Sequence, residues 1–186
     1  TMPENWGLVK ILLSYSIISA HLFGFGIYNV IIKEYSRMND EKERSSLMGF
    51  AFLVSIFSVI LLISLNLMTK GGIIHFINQE DSELIASNIN DYFLLSGVVI
   101  LSQVFTGYIA SKHKTPVLQL VNETFLKSFY LIISLVYLFK PYSFDLYLSL
   151  FIWSYVISLL IYVIYSLYLG LKLEFSFRLL RIKETI

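Results

Sequence analysis

A lysine, Lys127, lies near the middle of a long apolar run at positions 117–139. An unpaired charge at the centre of a membrane span costs about 2.5 to 3.5 kcal/mol on insertion scales, so this residue needs a partner. Glu123 precedes it by one helical turn and can pair with it. Two interpretations stay open. In the first, the pair only lowers the cost of placing a charged helix in a bilayer. In the second, Lys127 supplies positive potential to a cavity that receives an anionic head group, and Glu123 holds Lys127 in place.

The same predicted helix carries a stripe of polar side chains along its length. At about 100° per residue they fall within a sector of roughly 140°. Because polar groups in hydrocarbon are costly, one side of this helix is predicted to be wet or buried against protein. The stripe consists of Gln119, Asn122, Glu123, Lys127, Tyr130, Ser134 and Tyr137.

Three residues elsewhere are further candidates for the same cavity. Lys10 lies near one end of its predicted helix and either lines the cavity or snorkels to the interface. His21 lies near a helix centre, either as a neutral hydrogen-bonding group or as a charge that responds to pH. Gln103 belongs to a polar side of a third helix. The predicted cavity set is therefore Lys127, Glu123, Lys10, Gln103, Asn122, Tyr130 and His21.

The motifs of common enzyme classes are absent from the sequence. It has no Walker loop, dinucleotide-binding glycine fingerprint, Gly-x-Ser-x-Gly elbow or His-Glu-x-x-His zinc motif. It has no cysteine, and no His or acidic residues have metal-site spacing. We therefore assign no catalytic, cofactor or metal residues, and we do not expect an enzyme.

Composition identifies the class of protein that must position these side chains. Of 186 residues, 56% are apolar and 15% are charged, and the mean hydropathy is +0.72, whereas soluble domains have about 25% charged residues. These values exclude a soluble globule, a disordered chain and a disulfide scaffold. A formal net charge of +1 gives no global basic field for nucleic acid. The chain is predicted to be an integral membrane protein.

Five apolar stretches are long enough to cross about 30 Å of hydrocarbon as helices. The predicted fold is an all-α polytopic bundle over 1–169, with spans at 7–32, 47–68, 92–111, 117–139 and 146–169. Four Lys or Arg residues follow the first span, two follow the third and four follow the fifth, against one lysine in each other connection. The positive-inside rule therefore predicts an outside amino end and a cytoplasmic carboxyl end. Residues 170–186 are predicted to be a cytoplasmic linker, either a basic amphipathic helix or a frayed tail.

An outside amino end without a signal peptide predicts a further helix upstream, so we expect a partial lobe of a longer protein. The run Pro3 to Val9, the Gly24, Phe25 and Gly26 triplet, the run Ile31 to Arg37 and the charged turn 39–44 resemble Wzx-type polysaccharide flippases. These belong to the multidrug, oligosaccharidyl-lipid and polysaccharide exporter superfamily. The resemblance covers the whole chain, with its helices as the second to sixth of that fold.

The resemblance implies that the protein moves an undecaprenyl-diphosphate-linked oligosaccharide across the bacterial cytoplasmic membrane for surface polysaccharide synthesis. The implied partners are that lipid-linked oligosaccharide, membrane lipid, and a first helix and second lobe beyond this sequence. One alternative is a multidrug and toxin extrusion antiporter that uses Glu123, although a basic neighbour lowers the proton affinity of a carboxylate. Another is a structural subunit or the helical part of a membrane-bound acyltransferase.

Overall fold

The computed structural model describes residues 2–68, 89–139 and 143–175, and every regular element in these ranges is helical. The long helices follow the apolar runs, because a backbone in hydrocarbon must satisfy its own hydrogen bonds. The elements are α1 (Met2–Phe23), α2 (Ile27–Tyr35), α3 (Glu41–Met68), α4 (Ile89–Ser111), α5 (Thr115–Gln119), a π-helical segment (Leu120–Phe125), α6 (Leu126–Phe139) and α7 (Phe144–Tyr168).

The prediction of an all-helical bundle is confirmed for the described residues. Within the described ranges, four helical stretches are long and apolar enough to cross a membrane, and α1 with α2 makes a fifth if the bent pair is one span. Large apolar side chains cover much of the surface, including Leu22, Leu67, Leu131 and Phe139. Exposed apolar surface on this scale is incompatible with a monomer in water and suits contact with lipid.

The sequence predicts one span over 7–32 with a packing notch or a bend at Gly24, Phe25 and Gly26, and the structure has two helices there with a bend of 52° between them. The chain turns at Phe25 and Gly26, whose φ angles of 48° and 66° lie in the left-handed region. The residue just before the turn, Gly24, is a glycine in a place that has no room for a side chain. A Cβ at this position would lie 2.5 Å from Gln103 Oε1. The amide of Gln103 on α4 donates to the carbonyl oxygen of Ala20 at 3.1 Å and so fastens the end of α1.

Helix α4 is the centre of the bundle and packs against α1, α2, α3 and α7. It contributes to all three groups of buried apolar side chains. At one end Tyr108 packs with residues of α2 and α3, in the middle Ile100 meets Ala20 and Leu62, and at the other end Leu95 meets α1 and α7. The span formed by α5, the π-helical segment and α6 is far less enclosed than α4.

The chain after α7 turns back onto the bundle. The Tyr108 hydroxyl donates to Leu169 O at 3.1 Å, and the backbone N–H of Glu174 donates to Ser45 O at 3.1 Å. Leu171 is buried, and residues 171–175 form no helix. The rest of the predicted linker, 176–186, and residues 69–88 of the connection between the second and third predicted spans lie outside the described residues.

Candidate functional site

A cleft of about 540 Å³ opens beside α4. It takes its lining from α1, the start of α2, α4, the π-helical segment, α6 and α7. Five of the seven residues predicted from sequence line it, although they lie in four separate elements: His21, Gln103, Asn122, Lys127 and Tyr130. Glu123 and Lys10 are not among the lining residues, and Lys10 is exposed.

Lys127 is the cation of the cleft among the described residues, and Glu123 binds it. The Nζ of Lys127 donates to Glu123 Oε2, and the side chains are 67% and 62% exposed. The predicted pairing is therefore present in the structure. Because both groups are open to the surroundings, the ammonium is not sealed among aliphatic side chains. It can reach a ligand in the cleft while one carboxylate offsets its charge.

The π-helical segment explains how Asn122 and Lys127 come to line the same cleft. In an ordinary α-helix, residues five apart point about 140° away from each other. Here the backbone N–H of Leu126 donates to Val121 O, the five-residue spacing of a π-helix, which brings such residues into line. The Tyr162 hydroxyl then donates to Asn122 Oδ1 at 2.7 Å. The π-helical segment is thereby connected to α7.

Tyrosines form the apolar part of the cleft. Tyr130 stacks on Phe151 with ring centroids 4.8 Å apart and lies 6.2 Å from Tyr155. The Tyr130 hydroxyl is shielded from solvent and has no hydrogen bond of normal geometry to the described residues. Buried polar groups are normally paired, and a lost pairing costs about 1 to 3 kcal/mol. The hydroxyls of Tyr155 and Ser154 are the neighbouring groups that can pair with the Tyr130 hydroxyl.

The opposite part of the cleft is formed by α1 and α4. His21 Nδ1 donates to Ile17 O at 2.8 Å, so one ring nitrogen is used within its own helix. Ser102 and Thr106 likewise donate to carbonyl oxygens of α4, at 2.7 and 2.8 Å. Such local hydrogen bonds give a hydroxyl inside a membrane span an acceptor for its proton. Gln103 instead bridges to α1 and ties the bend to the cleft.

The predicted set omits several residues that line the cleft, namely Tyr28, Asn29, Ser102, Thr106, Tyr155, Ser158 and Tyr162. Tyr28, Ser158 and Tyr162 fall on polar helix faces and were detectable by angular position. Asn29 is a lone amide in the apolar α2, which is itself a signal. Tyr155 lies seven residues before Tyr162, about 20° away on the same face of α7, so it was detectable in the same way.

The lining offers groups that can bind a polar ligand. It combines one ammonium, the His21 imidazole, amides, hydroxyls and aromatic rings. Within residues 2–68, 89–139 and 143–175, no group of three His, Asp or Glu side chains could hold a metal ion. Comparisons of the chain with family models, characterised proteins and solved structures find no match.

Proposed function

We propose that the chain is part of a transporter that moves an undecaprenyl-diphosphate-linked oligosaccharide across the bacterial cytoplasmic membrane, and that the cleft beside α4 binds this substrate. The observation that carries the proposal is the combination in one cleft of the Lys127 ammonium with tyrosine rings and side-chain amides. In this scheme the diphosphate meets Lys127, and the sugar contacts the tyrosines and amides.

Each part of the cleft suits one part of that substrate. A lysine binds phosphate as a mobile point charge. Tyr130 contributes a partly exposed aromatic ring to the lining, which suits the apolar face of a sugar. A cleft of about 540 Å³ falls within the range of roughly 300 to 1,000 Å³ for sites that enclose small organic ligands. It would hold the diphosphate and nearby sugars, with the lipid tail left in the bilayer.

The bend between α1 and α2 supports a transporter over a set of passive anchors. Transporters commonly build their sites from broken helices near the bilayer midplane. Here Gln103 both fastens the end of α1 and lines the cleft. The proposal includes a topology in which α1 and α2 form one bent span, the amino end is outside and the carboxyl end is cytoplasmic. A second lobe would complete the groove on the exposed side of α6.

The test is substrate binding by the purified chain in nanodiscs, measured by native mass spectrometry. Lys127→Gln should weaken binding of the diphosphate-linked oligosaccharide at least tenfold, since a hydrogen bond to a charged group contributes about 1.5 to 3 kcal/mol. Lys10→Gln is the matched control, because it removes the same charge from an exposed lysine outside the cleft. The Glu123→Gln, Lys127→Gln double variant shows whether an orphaned carboxylate causes the loss.

Equal binding by the Lys127→Gln variant and the unsubstituted chain would refute the proposal. Two further ligands separate the parts of the substrate. Undecaprenyl diphosphate without sugar should retain the dependence on Lys127, and Tyr130→Leu, which removes the aromatic ring from the lining, should weaken only the sugar-bearing ligand. Binding of an organic cation that depends on Glu123 would instead favour an antiporter.

A further inference from the structure

A second cavity, of about 250 Å³, lies at the end of the bundle where α2 ends, α3 begins and α4 ends. We call it the basic pocket. It shares no lining residue with the cleft. Its charged lining residues are Arg44, Lys112, Lys172 and Glu41.

Aromatic rings hold two of these cations in place. The guanidinium of Arg44 lies 5.2 Å from the centroid of the Tyr35 ring, and Lys112 Nζ lies 5.1 Å from the same centroid. Lys112 Nζ also lies 5.6 Å from the centroid of Tyr108. The two rings pack edge to face, and both are buried. Cation–π contacts of this kind orient a charge without neutralising it.

The charges in the basic pocket do not balance among the described residues. Its single carboxylate, Glu41, lies 3.8 Å from Lys172 Nζ. Neither Arg44 nor Lys112 forms an ion pair with any described carboxylate. Arg44 uses its Nε to donate to Met38 O at 2.8 Å, and its two terminal nitrogens remain for a ligand. Two cations thus converge on one cavity without a matching anion.

The chain after α7 closes the basic pocket. Leu169, Gly170, Leu171 and Lys172 form one wall, and the hydrogen bond from Tyr108 holds that wall in place. Gly170 has a φ of 83°, which lets the chain turn sharply after α7. Residues distant in sequence therefore assemble this pocket before any ligand arrives, and such preorganisation lowers the entropy cost of binding.

From this arrangement we propose that the basic pocket binds a phosphate group, carried by an anionic phospholipid head group or present as free phosphate. Lys112 directly follows the span Ile89–Ser111, which places the cations at the depth of lipid head groups. Basic pockets between the ends of membrane helices are a recognised form of anionic lipid site. A volume of about 250 Å³ holds a phosphate and its nearest substituents but is smaller than the cleft.

The test compares two double variants that remove the same charge. Arg44→Gln with Lys112→Gln removes the two unpaired cations. Lys33→Gln with Lys114→Gln removes two exposed lysines at the same end of the bundle that do not line the pocket. Binding of dioleoylphosphatidylglycerol and dioleoylphosphatidylcholine to the delipidated chain is measured by native mass spectrometry. Phosphatidylglycerol should bind at least tenfold more weakly to the first variant, and its binding to the second should change less than twofold.

A free-phosphate arm identifies the source of the group. The thermal midpoint of the unsubstituted chain is measured in sodium phosphate and in sodium chloride at equal ionic strength. A phosphate-specific rise that disappears in Arg44→Gln with Lys112→Gln supports a free phosphate site. A loss confined to phosphatidylglycerol supports a lipid head group. Equal behaviour of the two double variants toward both probes would overturn the proposal.

Two measurements keep the proposal testable if the first variant does not fold. Glu41→Gln removes the carboxylate of the basic pocket and should tighten phosphatidylglycerol binding severalfold. Glu34→Gln, which breaks an exposed pair with Arg37, should not. In the unsubstituted chain, phosphatidylglycerol should slow amide hydrogen exchange at 108–112 and 169–174, and unchanged exchange there would contradict the site.

Discussion

Replacement of Gly24 by alanine should destabilise the bundle, because the space beside this residue is occupied. An added Cβ would lie 2.5 Å from Gln103 Oε1 and closer still to Ala20 O, whereas real Cβ atoms are essentially never found within 3.0 Å of such atoms. The Gln103 side chain can turn away, with loss of its hydrogen bond to Ala20, but the contact with Ala20 O is relieved only if the backbone at the end of α1 shifts.

The size of the effect follows from these two costs. Overpacking costs about 1 to 3 kcal/mol, and the lost hydrogen bond adds about 0.5 to 1.5 kcal/mol. A total of about 3 kcal/mol corresponds to a fall in Tm of about 6 to 12 °C for a chain of this size. The assay is thermal unfolding in a nonionic detergent, followed by circular dichroism at the helical minimum.

Gly7→Ala is the control for this substitution. None of the described residues lies within 4 Å of a Cβ at that position in α1. The change should stabilise the helix by about 0.5 to 1 kcal/mol, since alanine loses less backbone entropy than glycine. A Gly24→Ala midpoint equal to or above that of Gly7→Ala would refute the packing argument. Combining Gly24→Ala with Gln103→Ala should recover about 1 kcal/mol relative to additivity, because the two groups compete for one space.

Three further outcomes follow from single contacts. Gly49→Ala would place a Cβ 2.8 Å from the carbonyl carbon of Glu174 and should push the segment after α7 away from α3. Limited proteolysis should then cut that segment faster, and an unchanged rate would contradict the packing of the segment on α3. Tyr162→Phe removes the hydrogen bond to Asn122 and should lower Tm by about 2 to 4 °C; no change would mean that this bond contributes nothing to the free energy of unfolding. Tyr130→Phe removes a buried hydroxyl that has no hydrogen bond of normal geometry and should leave Tm within about 2 °C. A larger fall would mean that Tyr155 or Ser154 pairs with that hydroxyl in the free protein.

Helix positions could be predicted because the signal is local. An uninterrupted apolar run in a membrane has to be helical, whatever surrounds it. The predicted span 92–111 lies within α4, and the predicted span 146–169 differs from α7 by a residue or two at each end. The pairing of Glu123 with Lys127 was equally predictable, since residues four apart on a helix lie side by side.

The residues that share a cleft could be predicted only in part. A count at 100° per residue assumes an unbroken α-helix, and the π-helical segment departs from that assumption where Asn122 and Lys127 come into line. The bend at Gly24 to Gly26 could be suspected from its glycines, but the hydrogen bond to Ala20 beside it comes from Gln103, 79 residues after Gly24. Angular position therefore identified polar faces and could not select which of them meet.

Membrane residence and helix placement were determined by the chain's own residues, because hydrophobicity and backbone hydrogen bonding act over a few turns of one segment. The cleft and the basic pocket were decided by tertiary packing, because their members come from segments far apart in sequence. The basic pocket forms only when α2, α3 and the chain after α7 pack around the end of α4, which brings together Tyr35, Arg44, Lys112 and Lys172. Contacts between distant segments depend on how faces fit together, and no local pattern records that fit.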